Sequence, residues 1–187
     1  MTETVRVRRA RPCDAAFLHA VRAEPAASRF QPLRAYSKGR LRQLIERRAG
    51  APLDQHLDGK VQWVILAGDH PAGWITLDVT SREHGVGAVG YTVSEAFHGR
   101  GIATSALLLI VDIAFAPDGV DLERLEAVAA VDNIASRRVL EKAGFAPEGT
   151  ARGLLKIGGP RVDHMRYGLL RDGDDAGNEW PGHHPIP

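Results

Sequence analysis

Apolar and basic residues alternate from Thr4 to Arg9, and that period of two predicts a first strand. Pro12 and Asp14 mark a helix start, with Asp14 as N-cap for a helix over Ala15 to Arg22. Leu41, Leu44 and Ile45 recur at helical spacing in a basic stretch and predict an amphipathic helix near residues 37–48. Residues 50–60 read as a loop. Three apolar runs follow, Val61 to Ala67, Ala72 to Thr80 and Val86 to Val93. The turns between them, Gly68-Asp69-His70-Pro71 and Glu83-His84-Gly85, are too short for a crossover. The runs therefore form an antiparallel meander.

The pattern changes at Gly101. From there to Ala116 only Thr104, Ser105 and Asp112 are polar, so this helix is expected to be buried on most sides. Leu125 to Val131 predicts a further strand. Asn133 to Ala143 reads as a helix with Ile134, Val139, Leu140 and Ala143 inward and Arg137, Arg138, Glu141 and Lys142 outward. Gly144 stops it. Phe145 to Ala151 and Val162 to Leu170 predict a closing pair of strands around the Gly158-Gly159-Pro160 turn. The fold class expected is α+β, a mostly antiparallel sheet with helices on both faces. One domain covers residues 1–172, and the Gly-, Asp-, Pro- and His-rich tail over 173–187 is expected to be loosely ordered.

Composition narrows the function. Lys and Arg number 24 against 23 Asp and Glu, so the strong basic excess of a general nucleic-acid binder is missing. The single cysteine, Cys13, excludes a disulfide framework and a cysteine-built zinc site, and no metal is expected. The longest apolar run, Ala106 to Val111, is too short for a bilayer, and the first residues have no signal-peptide core. A cytoplasmic protein with no membrane partner is the expectation.

The chemistry is concentrated at His98-Gly99-Arg100-Gly101-Ile102-Ala103-Thr104, between a strand and the apolar helix. Two glycines allow backbone shapes that other residues resist. The first N–H groups of a helix have no partner within it and lie at the positive end of its dipole. Such a turn suits phosphate, with Arg100 adding charge and Thr104 a hydroxyl. A bare strand-to-helix turn is the competing reading. A Rossmann loop would need Gly or Ala at Thr104 and a parallel setting, and a Walker A loop would need Gly-Lys-Ser/Thr.

Together, Gly90-Tyr91-Thr92-Val93 with the glycine turn resembles the acyl-CoA pyrophosphate loop of the GNAT superfamily. Forty residues on, Val131-Asp132-Asn133-Ile134-Ala135-Ser136-Arg137-Arg138-Val139-Leu140-Glu141-Lys142-Ala143-Gly144-Phe145 resembles the second signature of the branch that acetylates ribosomal-protein N-termini and small molecules. The resemblance spans roughly residues 4–170. It implies a splayed mixed sheet, acetyl-CoA as acetyl donor, and cofactor contacts from Tyr91, Thr92, Val93, His98, Gly99, Arg100, Gly101, Ile102, Ala103, Thr104, Asn133, Ser136 and Arg138. His98 stands where the family usually has Gln or Arg, so cofactor affinity is expected to depend on pH.

By the same resemblance, the Val93 backbone polarises the thioester carbonyl and Ser136 lies near the sulfur as the acid. Asn133 and Ser136 share a helical face, but Asn133 also suits an N-cap and Ser136 can bond backbone. Glu126 is the first choice of base, with pairing to Arg124 or Arg152 as the alternative; Glu95 is the second choice. Asp163 and His164 could orient an amine, or His164 could be a core histidine. The ribosomal branch's hairpin carboxylate is missing from Arg152 to Gly158.

The resemblance implies transfer of acetyl to a primary amine, a protein N-terminus or a small molecule, by direct attack in a ternary complex. A catalytically silent acetyl-CoA-binding module is the alternative, and a homodimer is compatible with either. Arg22, Arg29, Arg34, Lys38, Arg40, Arg42, Arg47 and Arg48, on the segments that line the acceptor side in this family, favour a neutral or anionic acceptor over a polycation. A solvated basic face is the other reading.

Overall fold

The computed structural model describes residues 4–32 and 36–171; the tail from 173 lies outside them. Seven strands form one sheet in the order β1-β2-β3-β4-β5-β7-β6. They are β1 (Val5–Arg9), β2 (Gly59–Ala67), β3 (His70–Ser81), β4 (Val86–Val93), β5 (Arg124–Ala130), β6 (Ala146–Lys156) and β7 (Arg161–Leu170). Only the β4–β5 pair is parallel. Parallel strands need a crossover, and α4 (Ile102–Phe115) supplies it.

Period two sorts the strands' side chains to two layers. Val61, Trp63 and Ile65 of β2, with Ile75, Leu77 and Val79 of β3, pack on α4 through Ala106, Leu107, Ile110 and Ala114. Val64 and Trp74 face the other way, onto Leu18 and Val21 of α1 (Ala15–Ala23) and Leu41 and Ile45 of α3 (Lys38–Ala49). Helices thus cover both faces. Ser105 and Asp112 are the exposed residues of α4 past its start, as its apolar sequence requires. Ser37 caps α3 by accepting the Arg40 N–H at 3.2 Å.

Three local expectations fail for physical reasons. Asp14 does not cap α1; it ends a 3-10 turn over Pro12–Asp14. Its carboxylate instead accepts from Arg8 at 2.7 and 2.8 Å and from the Arg11 N–H at 2.7 Å. Ile134, on α5 (Ile134–Lys142), is 47% exposed. Arg137 turns inward from α5, donating to the Tyr167 hydroxyl and the Val131 carbonyl, each at 3.2 Å. Tyr167 is buried, so its hydroxyl must be satisfied within the protein. A short helix, α2 (Pro25–Arg29), and a 3-10 turn at Glu95–Phe97 complete the chain.

Asp14 makes stability depend on pH. Burial alone would raise its carboxyl, but the Arg8 hydrogen bonds and the Arg11 N–H outweigh it and hold the group below the usual range. A depressed carboxyl stabilises the fold above its unfolded pKa and loses that contribution as pH falls through the folded value. Wild type is therefore expected to unfold at a higher denaturant midpoint than Asp14→Asn at pH 7, with the gap closing as pH falls below about 4. A constant gap across that range would contradict it.

Candidate active site

Pairing of β4 with β5 lasts three steps, Val86 with Arg124, Gly87 with Leu125 and Ala88 with Glu126. Beyond them β4 runs on to Val93 and β5 to Ala130, leaving an opening in the sheet. Gly73 brings β3 close beneath the end of β4, where a Cβ would lie 2.2 Å from the Thr92 carbonyl oxygen. The Ser94 N–H donates to the Ala72 carbonyl at 2.8 Å. Antiparallel alternation then makes Gly73/Val93 and Ile75/Tyr91 non-hydrogen-bonded pairs. The N–H and C=O of Val93 and Tyr91 consequently point from β3 toward the opening.

Two of those groups are taken. Gln31 Nε2 donates to the Tyr91 carbonyl at 2.8 Å, while its Oε1 accepts from the Thr92 hydroxyl at 3.1 Å. His98 Nε2 meets the Val93 carbonyl at 2.9 Å. His98 thereby ties the turn back to β4, leaving Nδ1 as its other polar atom. The Val93 N–H is directed into the opening beside them.

Gly101 caps α4 in the left-handed region, and Gly99 has the same φ of 75°. A Cβ at either would meet nothing within 4 Å among the described residues beyond its chain neighbours. The space before the α4 N-terminus is therefore open, and the glycines serve the backbone rather than packing. Ile102 is buried, anchoring the helix behind the turn; Ala103 and Thr104 are half-buried on its first turn. Arg100 is exposed, its guanidinium 5.2 Å from the Phe97 ring centroid. Open space, a glycine turn and a helix N-terminus fit a pyrophosphate.

Across the opening, the Tyr91 hydroxyl reaches α5, lying 3.1 Å from the Ser136 carbonyl and 3.0 Å from its Oγ. Burial pushes the Tyr91 phenol up to about 12, so it stays a donor at neutral pH. Asn133 is the α5 N-cap, accepting the Ser136 N–H at 3.1 Å. Arg138 lies on the exposed face of α5. A cavity of about 430 Å³ continues from Tyr91 and Ser136 to the α1–α3 layer.

His164, on β7, also lines that cavity and is 2% exposed. Its Nδ1 lies 2.9 Å from the Val162 carbonyl, which can only accept. Nδ1 must carry the proton, so in the neutral ring Nε2 is left as an acceptor. Glu126 is placed differently. Its carboxylate lies 3.2 Å from Arg124 Nε, is 46% exposed and does not line the cavity. Glu95 accepts the Ala26 N–H at 2.8 Å, and Glu24 accepts from the Ser94 hydroxyl and the Glu95 N–H, so both fasten the α1–α2 corner to the end of β4. Asp163 accepts the Gly153 N–H at 2.7 Å.

Gln31, Trp74 and Tyr36 line the cavity without having been marked by any motif. Trp74 had a signal in the period of β3, which turns it away from the α4 face.

Residues 4–146 match the family model for the acetyltransferase (GNAT) domain. The chain belongs to that family. YjcK of Bacillus subtilis, described as a probable N-acetyltransferase, is 44% identical over 87 residues, 46% of this chain and 47% of that one. A second Bacillus subtilis relative, YdaF, is 34% identical over 110 residues, 59% of this chain and 56% of that one. The chain thus spans about half the length of the curated relatives it matches. RimJ of Mycobacterium smegmatis, solved with CoA-disulfide, superposes with a TM-score of 0.77 at 25% identity, covering 90% of this GNAT chain and 83% of RimJ. A spermidine N-acetyltransferase of Vibrio cholerae, solved with CoA and spermine, also superposes with a TM-score of 0.77; at 19% identity it speaks for the fold alone. The expected α+β class with a splayed, mostly antiparallel sheet matches these neighbours. No helix among the described residues is long and apolar enough to cross a membrane.

Proposed function

We propose that this chain is an acetyl-CoA-dependent N-acetyltransferase that modifies a primary amine by direct attack in a ternary complex. The observation that carries the reading is the β4/β5 opening, which lies between the glycine turn and a partly open cavity. Acetyl-CoA, when bound, supplies an acetyl thioester. The turn from His98 to Thr104 would hold its pyrophosphate, with Arg100 adding positive charge. Tyr91, Thr92, Asn133, Ser136 and Arg138 border the opening or its α5 wall and would hold the arm.

The Val93 N–H stabilises negative charge developing on the acyl oxygen, a preorganised donor of the oxyanion-hole kind. Tyr91 has one proton; given to the Ser136 carbonyl, it leaves the Ser136 hydroxyl proton available to the departing sulfur. His164 Nε2 takes the proton from the attacking amine. This role suits His164 because its other nitrogen is fixed on the Val162 carbonyl.

Glu126, proposed from the sequence as the base, would have to leave Arg124 to act. Glu126→Gln is therefore expected to change kcat by less than about threefold, against the roughly 10²-fold or greater loss typical of a missing general base. The larger loss would return the base to Glu126. The reading as a whole is tested by titrating acetyl-CoA calorimetrically and then recording thiol release with amines. Saturable binding followed by amine-dependent release supports it. Binding with no release on any amine would indicate a silent acetyl-CoA-binding module.

A further inference from the structure

Among the described residues, Val128, Ile134 and Leu170 are large apolar side chains left exposed, and of these only Val128 lines the cavity that leads away from Tyr91 and Ser136. Val128 is 45% exposed although β5 is an interior strand, between β4 and β7. The β4–β5 pairing ends at Ala88 and Glu126, so β4 no longer flanks β5 at Val128. A lone exposed valine on an outer surface is ordinary. One left uncovered in the middle of a sheet, inside a cavity, is a place where a ligand removes apolar surface from water.

The strand register places this valine beside His164. Ala130 and Ala151 pair with His164 from its two sides, Val128 pairs with Arg166, and Leu155 pairs with Val162. Period two then puts Val128, His164 and Leu155 on one face of the sheet. Tyr167 takes the other face, toward α5, where it meets Arg137 and Glu141. On its own face His164 therefore has alanines directly across and Val128 and Leu155 one step along. Val128, Leu155 and His164 all line the cavity, with Val89 and Leu140 adding apolar wall. The polar side chains that border the opening are occupied within the protein. Gln31 bonds the Tyr91 carbonyl and the Thr92 hydroxyl, Thr76 donates to the Gly90 carbonyl at 3.2 Å, and Tyr91 meets Ser136.

We infer that the acceptor is a primary amine with a compact apolar group close to its nitrogen, and that Val128 and Leu155 receive that group while the nitrogen faces His164. This rests on the acetyltransferase reading above. An amine that gives its proton to His164 Nε2 lies on the same sheet face as Val128 and Leu155, so the substituent next to its nitrogen meets those two side chains. An apolar substituent covers the uncovered part of Val128, which is favourable in proportion to the area removed from water. A polyamine carries its second ammonium a few methylenes from the first, and taking that charge out of water against these side chains costs free energy.

The experiment compares leucinamide with asparaginamide, whose side chains have nearly the same shape but end in methyls or a carboxamide, and with alaninamide, whose side chain is a single methyl. Spermidine completes the set. Leucinamide is expected to show a kcat/KM at least about tenfold above either of the other amides, since each buried methylene is worth about fourfold. In Val128→Asn the leucinamide-to-asparaginamide ratio should fall at least about threefold, while the Kd for acetyl-CoA is unchanged. General damage to the fold would lower both amides alike and leave their ratio in place. Val128→Ile should keep the preference. Equal kcat/KM for leucinamide and asparaginamide, a preference for asparaginamide or spermidine, or an unchanged ratio in Val128→Asn would overturn the inference.

Binding without turnover provides a separate readout. N-acetylleucinamide is expected to shift the Val128 methyl resonances, assigned through Val128→Asn, and N-acetylasparaginamide at the same concentration to shift them less. Identical responses to the two, or no response to either, would overturn the inference even if no amine is acetylated. If acetyl-CoA fails to bind, the acetyltransferase reading falls, and the methyl resonances still report whether the apolar site exists.

Discussion

Gly101→Val is expected to raise the Kd for acetyl-CoA on the order of 100-fold, about 2.7 kcal/mol of binding energy. Gly101 holds φ at 75° at the start of α4, and beyond its chain neighbours no atom of the described residues lies within 4 Å of where its Cβ would be. The substitution therefore acts in two ways. It disfavours the left-handed backbone that aims the first α4 N–H groups forward, and it fills the space where the pyrophosphate is proposed to lie. The backbone part costs about 1–2 kcal/mol of stability, which a folded domain tolerates. Gly158 separates strain from ligand loss. It has φ 61° and equally open surroundings, but sits in the distant β6–β7 turn. Gly158→Val should destabilise comparably and leave acetyl-CoA binding intact. Equal affinity for the two variants in a calorimetric titration would remove the phosphate cradle.

His164→Gln is expected to lower kcat by roughly 10²–10⁴-fold, the range for loss of a general base. Glutamine is close in size, so the buried position between β5 and β6 can keep its packing. The proposed acetyl-CoA contacts lie on β4, the glycine turn, the start of α4 and α5 rather than on β7, so the Kd for the donor should not change. A merely structural histidine would show a lower unfolding midpoint with kcat nearly intact. Partial rescue of the variant by added imidazole would mark the missing group as a proton acceptor. An unchanged kcat would leave proton removal to solvent or to Glu126.

Much of the fold was legible because one face of each central strand is buried. Alternation at Trp63, Ile65, Ile75 and Leu77 predicts strands and the face that meets α4. Short turns force their antiparallel order, and the apolar stretch after Gly101 marks a packed helix. The glycine turn at the start of α4 was legible because glycine at a strand-to-helix junction has a local physical meaning, and Gly99 and Gly101 do adopt positive φ. The cavity beside the opening was not. Its wall joins Gln31 near α2, Trp74 on β3 and His164 on β7, residues brought together only by the sheet order. Periodicity can say that Trp74 faces away from α4, but not that a cavity lies there. Side-chain partners also decided the charged residues. Arg8 drew Asp14 from its cap, Arg124 pairs with Glu126, and the Tyr167 hydroxyl turned Arg137 inward.

The most direct test is mass spectrometry of the purified protein mixed with acetyl-CoA and primary amines, with free thiol recorded in parallel. An amine gaining the mass of one acetyl group, in step with thiol release and strongly reduced in Gly101→Val at acetyl-CoA below the variant's Kd, is the expected result. Saturating acetyl-CoA binding with no acetylated amine and no thiol release would contradict acetyl transfer as the function of this site.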